Sequence, residues 1–358
     1  MSPKNNMTIQ QLLLYTIENK ASDLHLVVDS PPMIRLDGSL VAVSGEAKLT
    51  ETSCELLING VMNTDIKQMF MVNKEADFSF NLEGGGRFRV NTYYQKNTPA
   101  ASFRLIPEVI PNMELLGLPA ICKQIVTMKQ GFVLVTGPTG HGKSTTLASI
   151  IEEINRTRPV HIITIEDPVE YVYSSAKAIV SQREMKSDTH SWDMALRSIL
   201  REDPDVVLVG EMRDFETISQ ALTIAETGHL VLATLHTNSA SQTVDRIIDV
   251  FPENQQAQAR IQLSATLEVV VSQRLVPKID GGRVAAFEVM ISTNAIRTAI
   301  RESRSHMIDN IIMTSAEYGM STLEASLAEL VRKNLISEET ALGYALRPAD
   351  LARFLKKY

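Results

Sequence analysis

The run Gly137-Pro-Thr-Gly-His-Gly-Lys-Ser144 carries the sharpest chemical signal in the sequence. Its glycines let the backbone curl so that successive N–H groups point inward at phosphate oxygens. A lysine at the position of Lys143 reaches the β- and γ-phosphates of a nucleotide, and a hydroxyl at Ser144 can ligate Mg²⁺. The context fits: the apolar run Phe132–Thr136 precedes the motif, and an amphipathic stretch with Leu147, Ile150, Ile151 and Ile154 on one face follows it. The positive end of that helix's dipole adds to the attraction. A chance glycine-rich turn would not need this setting. The expected phosphate-binding set is therefore Gly137, Thr139, Gly140, His141, Gly142, Lys143, Ser144 and Thr145, with ATP and Mg²⁺ as cofactors. The side chain of His141 is expected to point outward, because its backbone N–H makes the phosphate contact.

A phosphate cradle of this kind needs a carboxylate at the tip of a neighbouring strand, to hold Mg²⁺ or polarise water. Glu211 ends the apolar run Asp205–Glu211, and Asp167 and Glu170 follow the run Ile162–Glu166. Each acid alone could equally be solvated or cap a helix. His229 and His236 bracket Leu230–Leu235, and a histidine at a strand end can donate to developing charge; a solvated or structurally satisfied histidine is the alternative. Arg87, Arg89 and Arg104 lie on strand-like segments near the N-terminus. Read alone they form a solvated strand face; in an oligomer they could reach a neighbour's nucleotide as arginine fingers. Arg213 and Asp214 either link the Glu211 strand to an interface or cap the next helix.

The elements that must position these residues change character along the chain. Residues 8–20 read as an amphipathic helix with Thr8 and Gln11 at capping-box spacing. Met33–Leu36 and Leu40–Val43 flank Asp37-Gly38, and Phe78–Leu82 and Phe88–Tyr94 flank Gly84-Gly85-Gly86, which predicts two hairpins. In the last of these strands Phe88, Val90 and Thr92 face one way, Arg87, Arg89 and Asn91 the other. A small α+β domain over 1–106 follows. Pro107, Pro111 and Pro119 mark 107–119 as a linker. Beyond it, over 120–358, strands at 132–136, 162–165, 206–209 and 230–235 alternate with helices at 143–155, 192–201 and 215–227. That alternation predicts an α/β fold with a mostly parallel sheet covered on both faces. From Thr266 the sequence predicts a hairpin around Gly281-Gly282, then helices.

Composition narrows the class. The 358 residues are 44% hydrophobic and 22% charged, as in a soluble globular protein of two domains. The net charge of −7 disfavours a nucleic-acid motor, so no direct nucleic-acid partner is expected. The two cysteines, Cys54 and Cys122, have no metal-ligand spacing. No run has the length of a membrane span and no signal peptide is evident, so a cytoplasmic location is expected, with membrane association only through partners.

Taken in order, the motifs resemble those of the secretion and type IV pilus ATPases, and within them the PilT-type retraction ATPases. Ser22-Asp-Leu-His-Leu26 is similar to a family signature, and Gly137–Ser144 to Walker A. Ile165–Tyr171 resembles the Asp box, Asp205–Asp214 an atypical Walker B with glutamate, and Gly228–His236 the His box. The resemblance covers nearly the whole chain. It implies a PAS-like N-terminal domain and a RecA-like ATPase domain. It implies Glu170 as general base, Glu211 as the acid near Mg²⁺, and His229 and His236 in γ-phosphate chemistry and interfaces. It further implies a homohexamer whose sites are completed in trans by Arg89 and Arg104, with Arg87 behind them. The implied output is pilin depolymerisation and twitching motility, at the inner face of the cytoplasmic membrane, through a platform protein of the pilus.

Assembly and secretion ATPases of the superfamily typically carry an extra N-terminal domain and a four-cysteine zinc insertion. Here the sequence begins at the PAS-like segment and has no Cys-x-x-Cys, which favours retraction. Ala295–Glu302, AIRTAIRE, resembles the retraction branch's C-terminal motif except at Thr298 and Ala299. The alternatives are an accessory retraction ATPase working beside a second one, an assembly or type II secretion ATPase, and, lower, a nucleic-acid translocase.

Overall fold

The computed structural model describes residues 7–36, 38–107 and 109–356, so Asp37 of the first hairpin signal and Glu108 of the linker stretch lie outside the described residues. The chain divides into two compact units: Met1–Val109 with Pro168–Val172, and Ile110–Asp167 with Tyr173–Tyr358. No helix among the described residues is long and apolar enough to cross a membrane.

The first unit runs α1 (Ile9–Glu18), β1 (Asp23–Val27), β2 (Met33–Leu36), β3 (Ser39–Ala42), α2 (Glu51–Asn59), α3 (Thr64–Asn73), β4 (Glu75–Asn81), β5 (Arg87–Gln95) and β6 (Thr98–Ile106). Thr8 and Gln11 close a reciprocal capping box at the start of α1, which satisfies two otherwise orphaned N–H groups. The strands form one antiparallel sheet in the order β3-β2-β1-β6-β5-β4. Strand alternation sends Leu24, Leu26, Ile34, Phe88, Val90 and Phe103 into a core with Leu12 and Leu13 of α1. The same alternation leaves Asp23, Arg35, Arg89 and Arg104 in register on the other face.

The second unit contains α4 (Ile121–Thr127), β7 (Gly131–Thr136), α5 (Lys143–Thr157), β8 (His161–Glu166), β9 (Ile179–Glu184), α6 (Trp192–Ile199), β10 (Val206–Val209), α7 (Phe215–Glu226), β11 (Leu230–Leu235), α8 (Ala240–Asp249) and α9 (Glu253–Thr266). It continues with β12 (Leu267–Pro277), β13 (Arg283–Ile291), α10 (Asn294–Arg301), α11 (Ile308–Thr314), α12 (Leu323–Arg332), α13 (Glu338–Tyr344) and α14 (Pro348–Lys356). The sheet order is β13-β12-β7-β11-β10-β8-β9, parallel except for the β12–β13 hairpin. This is the mostly parallel α/β sheet expected from the alternating pattern. Strands β7, β10 and β11 are buried at every position, which is why they read as continuous apolar runs.

The C-terminal helices are tied to this sheet by a buried charge cluster. Glu288 on β13 is 1% exposed and Glu324 on α12 is 0% exposed. One guanidinium serves both: Arg347 Nη2 lies 3.4 Å from Glu288 and 3.1 Å from Glu324, while Nη1 lies 2.9 Å from Asp309. The Ala240 N–H, at the start of α8, donates to Glu288 at 2.7 Å. Burial pushes the Glu288 carboxyl up to about 7, against the pull of Ala240 and Arg347.

Arg347→Met should cost about 3–5 kcal/mol in urea unfolding, because it strands two buried carboxylates. The raised Glu288 value has a definite sign. Its stability contribution is fully present below the unfolded value of 4.5 and is lost as pH rises through about 7. Glu288→Gln should therefore flatten the decline in stability between about pH 5 and 8, as read by thermal unfolding across that range.

Candidate nucleotide site

Strands β7, β11, β10 and β8 run parallel, so their C-terminal ends share one edge of the sheet. Ligands of open α/β sheets bind at this edge, in the loops that leave it. The loops here carry Gly137–Ser144 after β7, His236 after β11, Glu211 after β10 and Asp167 after β8. Two hydrogen bonds fold the end of β10 onto β11: the Thr234 hydroxyl donates to the Gly210 carbonyl at 2.6 Å, and the Met212 N–H to the Thr234 carbonyl at 3.3 Å. That folding brings Glu211 beside His236.

Helix α5 has Gly142 as its N-cap, whose φ of 84° belongs to the left-handed region, and no side chain caps the helix. A glycine N-cap offers no side-chain oxygen to the first turn, an arrangement that suits an anion site at a helix start. Ser144 and Thr145 sit half-buried in that first turn. Lys143, buried, turns its Nζ back over the loop and donates to the carbonyls of Gly137 at 2.9 Å and Pro138 at 3.0 Å.

The same Nζ is 3.3 Å from His236 Nδ1, and the Thr139 hydroxyl is 3.3 Å from that nitrogen. An ammonium can only donate, so His236 Nδ1 accepts and the ring proton sits on Nε2. Nε2 lies 3.0 Å from Glu211 Oε1, which completes a relay from Lys143 through His236 to Glu211. Arg213 grips the same carboxylate with two bonds, Nε at 2.6 Å and Nη2 at 2.7 Å. Burial pushes the Glu211 carboxyl up, but the Arg213 hydrogen bonds, His236 and Lys143 together hold it below the ordinary value. Burial and then the Lys143 charge hold His236 below the ordinary histidine value, Glu211 opposing in part. A negative carboxylate, a buried ammonium, a neutral imidazole and an uncapped helix start, gathered at one edge, suit a magnesium nucleotide. Ser144 and Glu211 are the residues that would hold the metal.

Two expectations are corrected here. His229 stands at the opposite end of β11 from this cluster, separated from His236 by a strand of six residues, or about 20 Å. Its Nδ1 lies 3.0 Å from both the Ile224 carbonyl and the Thr227 hydroxyl, so it closes the end of α7 and does not reach the phosphate loop of its own chain. His141 does not point outward. It is half-buried, and its Nδ1 accepts the Leu275 N–H of β12 at 3.0 Å.

The other expected residues are placed as follows. Asp214 caps α7 by accepting the Thr217 N–H at 2.8 Å, which is one of its two readings from sequence. Asp167 is exposed and lies 3.5 Å from Lys186. Glu170 is exposed, in the Pro168–Val172 segment that groups with the first unit. On the first unit's sheet Arg89 pairs with Asp77 at 2.7 Å, Arg104 with buried Asp23 at 2.9 Å, and Arg87 donates to the Ser79 hydroxyl at 2.6 Å. Arg89 and Arg104 are register partners, so their guanidinium groups share a face.

Sequence reasoning missed β12 as part of the site. Gln273 of that strand bonds the phosphate loop, and Arg274 donates to Asn238, just past His236, at 3.0 Å. The available signal was Ser272-Gln-Arg274, a polar interruption in an otherwise apolar strand.

With this geometry in view, likeness to known proteins becomes informative. A family profile described as type II/IV secretion system protein matches residues 3–328. The type IV pilus retraction ATPase PilT of Pseudomonas aeruginosa is 49% identical over 96% of this chain and 100% of its own length. The chain belongs to the type II/IV secretion system family, in its pilus retraction branch. The type IV pilus ATPase PilU of the same organism is more distant, 39% identical over 98% of this chain and 92% of its own. A crystal structure of the pilus retraction motor PilT with bound ADP superposes with a TM-score of 0.91 at 46% identity, covering 97% of this chain and all of that one.

The two histidines differ in what they touch. His236→Ala should lower the rate of ATP hydrolysis by about tenfold or more, since it cuts the relay from Lys143 to Glu211. His229→Ala should leave the rate within about twofold of wild type, because within its own chain His229 closes a helix end away from the phosphate loop. The neutral form of His236 is the working one and its pKa is lowered. The relay is therefore intact above the ordinary value of 6.5 and is lost only as pH falls below it. A pH–rate profile of both variants beside wild type checks these points.

Proposed function

We propose that this chain is a magnesium-dependent ATPase that powers retraction of type IV pili, working as a homohexamer at the inner face of the cytoplasmic membrane. The observation that carries the proposal is the meeting of Lys143, His236 and Glu211 beside the uncapped start of α5. The output is suggested by the 49% identity to PilT over essentially both full lengths.

In this reading the N–H groups of Gly137–Ser144 and the first turn of α5 cradle the phosphates. Lys143 leaves the Gly137 and Pro138 carbonyls for the phosphate oxygens, a donor exchanging one set of acceptors for another. Ser144 and Glu211 would hold magnesium, which when bound would supply positive charge beside the phosphates. Arg213 must release Glu211 for that role. His236 holds the opposite side of the carboxylate and keeps it oriented. Glu170 accepts the proton of the attacking water. Arg89 and Arg104, with Arg87 behind them, come from the neighbouring subunit and stabilise charge on the transferring group. Their partners Asp77 and Asp23 hold them extended along one sheet face until then. The two domains turn about residues 107–119 as the phosphate leaves, and a platform protein of the pilus in the membrane receives the motion. No nucleic acid takes part.

Glu170→Gln should reduce hydrolysis by about a hundredfold or more while the affinity for ATP stays within about threefold. In a bacterium lacking its own retraction ATPase, the wild-type chain should restore twitching and the variant should not. An unchanged rate would move the base to another residue. Hydrolysis without restored twitching would sever the ATPase from the proposed output.

A further inference from the structure

Gln273 is 3% exposed, and both ends of its amide are hydrogen-bonded. Its Nε2 donates to the His141 carbonyl at 2.8 Å, and its Oε1 accepts the Thr146 hydroxyl of α5 at 2.6 Å. Because the His141 carbonyl can only accept, the amide's orientation is set: Nε2 must face the loop, and Oε1 is left to accept from the Thr146 hydroxyl. The backbone of the same residue also abuts the loop. A Cβ on Gly137, at φ 143°, would lie 2.3 Å from the Gln273 carbonyl oxygen, and one on Gly142 would lie 2.9 Å from Nε2. Two of the motif's glycines are thus required by this strand as well as by the turn.

The adjoining contacts point the same way. Leu275, two residues along β12, donates its N–H to His141 Nδ1 at 3.0 Å. Arg283 on β13 donates to the Gly140 carbonyl at 3.3 Å. Peptide groups are planar and trans, so a carbonyl and the N–H of the next residue point in opposite directions. Fixing the His141 carbonyl from behind therefore aims the Gly142 N–H forward. Fixing the Gly140 carbonyl does the same for the His141 N–H.

We propose that Gln273 is a positioning residue for the nucleotide phosphates: anchored to α5 through Thr146, it holds the His141 peptide so that the Gly142 N–H faces the phosphate, while Leu275 pins the His141 ring to the same strand. The proposal rests on the reading of Gly137–Ser144 as a nucleotide-phosphate site. It assigns the β12–β13 hairpin a part in ATP binding that none of the loop's own residues supplies. Asparagine is too short to span both partners, and glutamate can accept from Thr146 but cannot donate to a carbonyl.

The test uses the full chain with ADP and ATP as probes. Calorimetry gives the ADP dissociation constant, thermal scans without nucleotide give the Tm, and steady-state assays give kcat and KM. Wild type should bind ADP. Gln273→Leu should weaken ADP binding about ten- to a hundredfold, and raise the KM for ATP by a similar factor while kcat falls less. Gln273→Glu should fail in the same way although it keeps the Thr146 contact. His141→Ala, which removes only the Leu275 contact, should weaken ADP binding by a smaller factor and keeps the question open to measurement if Gln273→Leu does not fold. A purely structural role would lower the nucleotide-free Tm and leave the dissociation constant of the folded protein unchanged, and that result overturns the proposal. Absence of ADP binding by the folded wild type would instead remove the nucleotide reading itself.

Discussion

A loop that turns its N–H groups towards an anion must have its carbonyls satisfied from behind, because a planar peptide cannot point both groups the same way. The site at Gly137–Ser144 is organised by that constraint. Arg283 satisfies the carbonyl of Gly140 and Gln273 that of His141. The two strands of one hairpin, β12 and β13, thus hold the loop in shape. The central place of β7, with β12 on one side and β11 on the other, is what lets the two sides converge on the loop. The β12 side fixes the loop's backbone, and the β11 side delivers His236 and, through Thr234, Glu211.

Charge is distributed with the same economy. Lys143 and Arg213 flank Glu211 and His236, and burial first, then the Lys143 charge, favour the neutral imidazole. A neutral imidazole can accept at one nitrogen and donate at the other, which a charged one cannot. The relay therefore holds its geometry at neutral pH without a net charge on its central member. Behind it the Ala240 N–H meets Glu288, and Arg347 joins that residue to the C-terminal helices. The segment from His236 to Ala240 thus joins the nucleotide edge to the charge cluster that anchors α12 and the loop before α14.

The parts of the fold legible in the sequence are those governed by local pattern. The strands at 206–209 and 230–235 are apolar throughout and were bounded correctly, and Asp214 and Thr8 are capping residues next to periodic runs. Strand β9 was not predicted because Ile179–Glu184 lies at the sheet edge, where half-exposed polar residues replace the apolar run. Helices α8 and α9 were passed over, although Val244, Ile247 and Ile248 have helical spacing. The phosphate loop and Glu211 were visible because spacing and strand context define them. Gln273 was not, because its partners lie more than a hundred positions away and only the parallel pairing of β12 with β7 unites them. The two histidines of one motif parted for a similar reason: sequence places both at strand ends, but only topology says which end faces the ligand.

The central claim is that Lys143 exchanges the Gly137 and Pro138 carbonyls for nucleotide phosphate. Titration calorimetry of ADP into the wild-type chain and into Lys143→Met tests it most directly. The account predicts binding by wild type and a loss of about ten- to a hundredfold in the variant, the expected effect of removing a charged hydrogen-bond donor. Equal affinity in the two folded proteins would contradict it, and would mean that the phosphates lie elsewhere on the molecule.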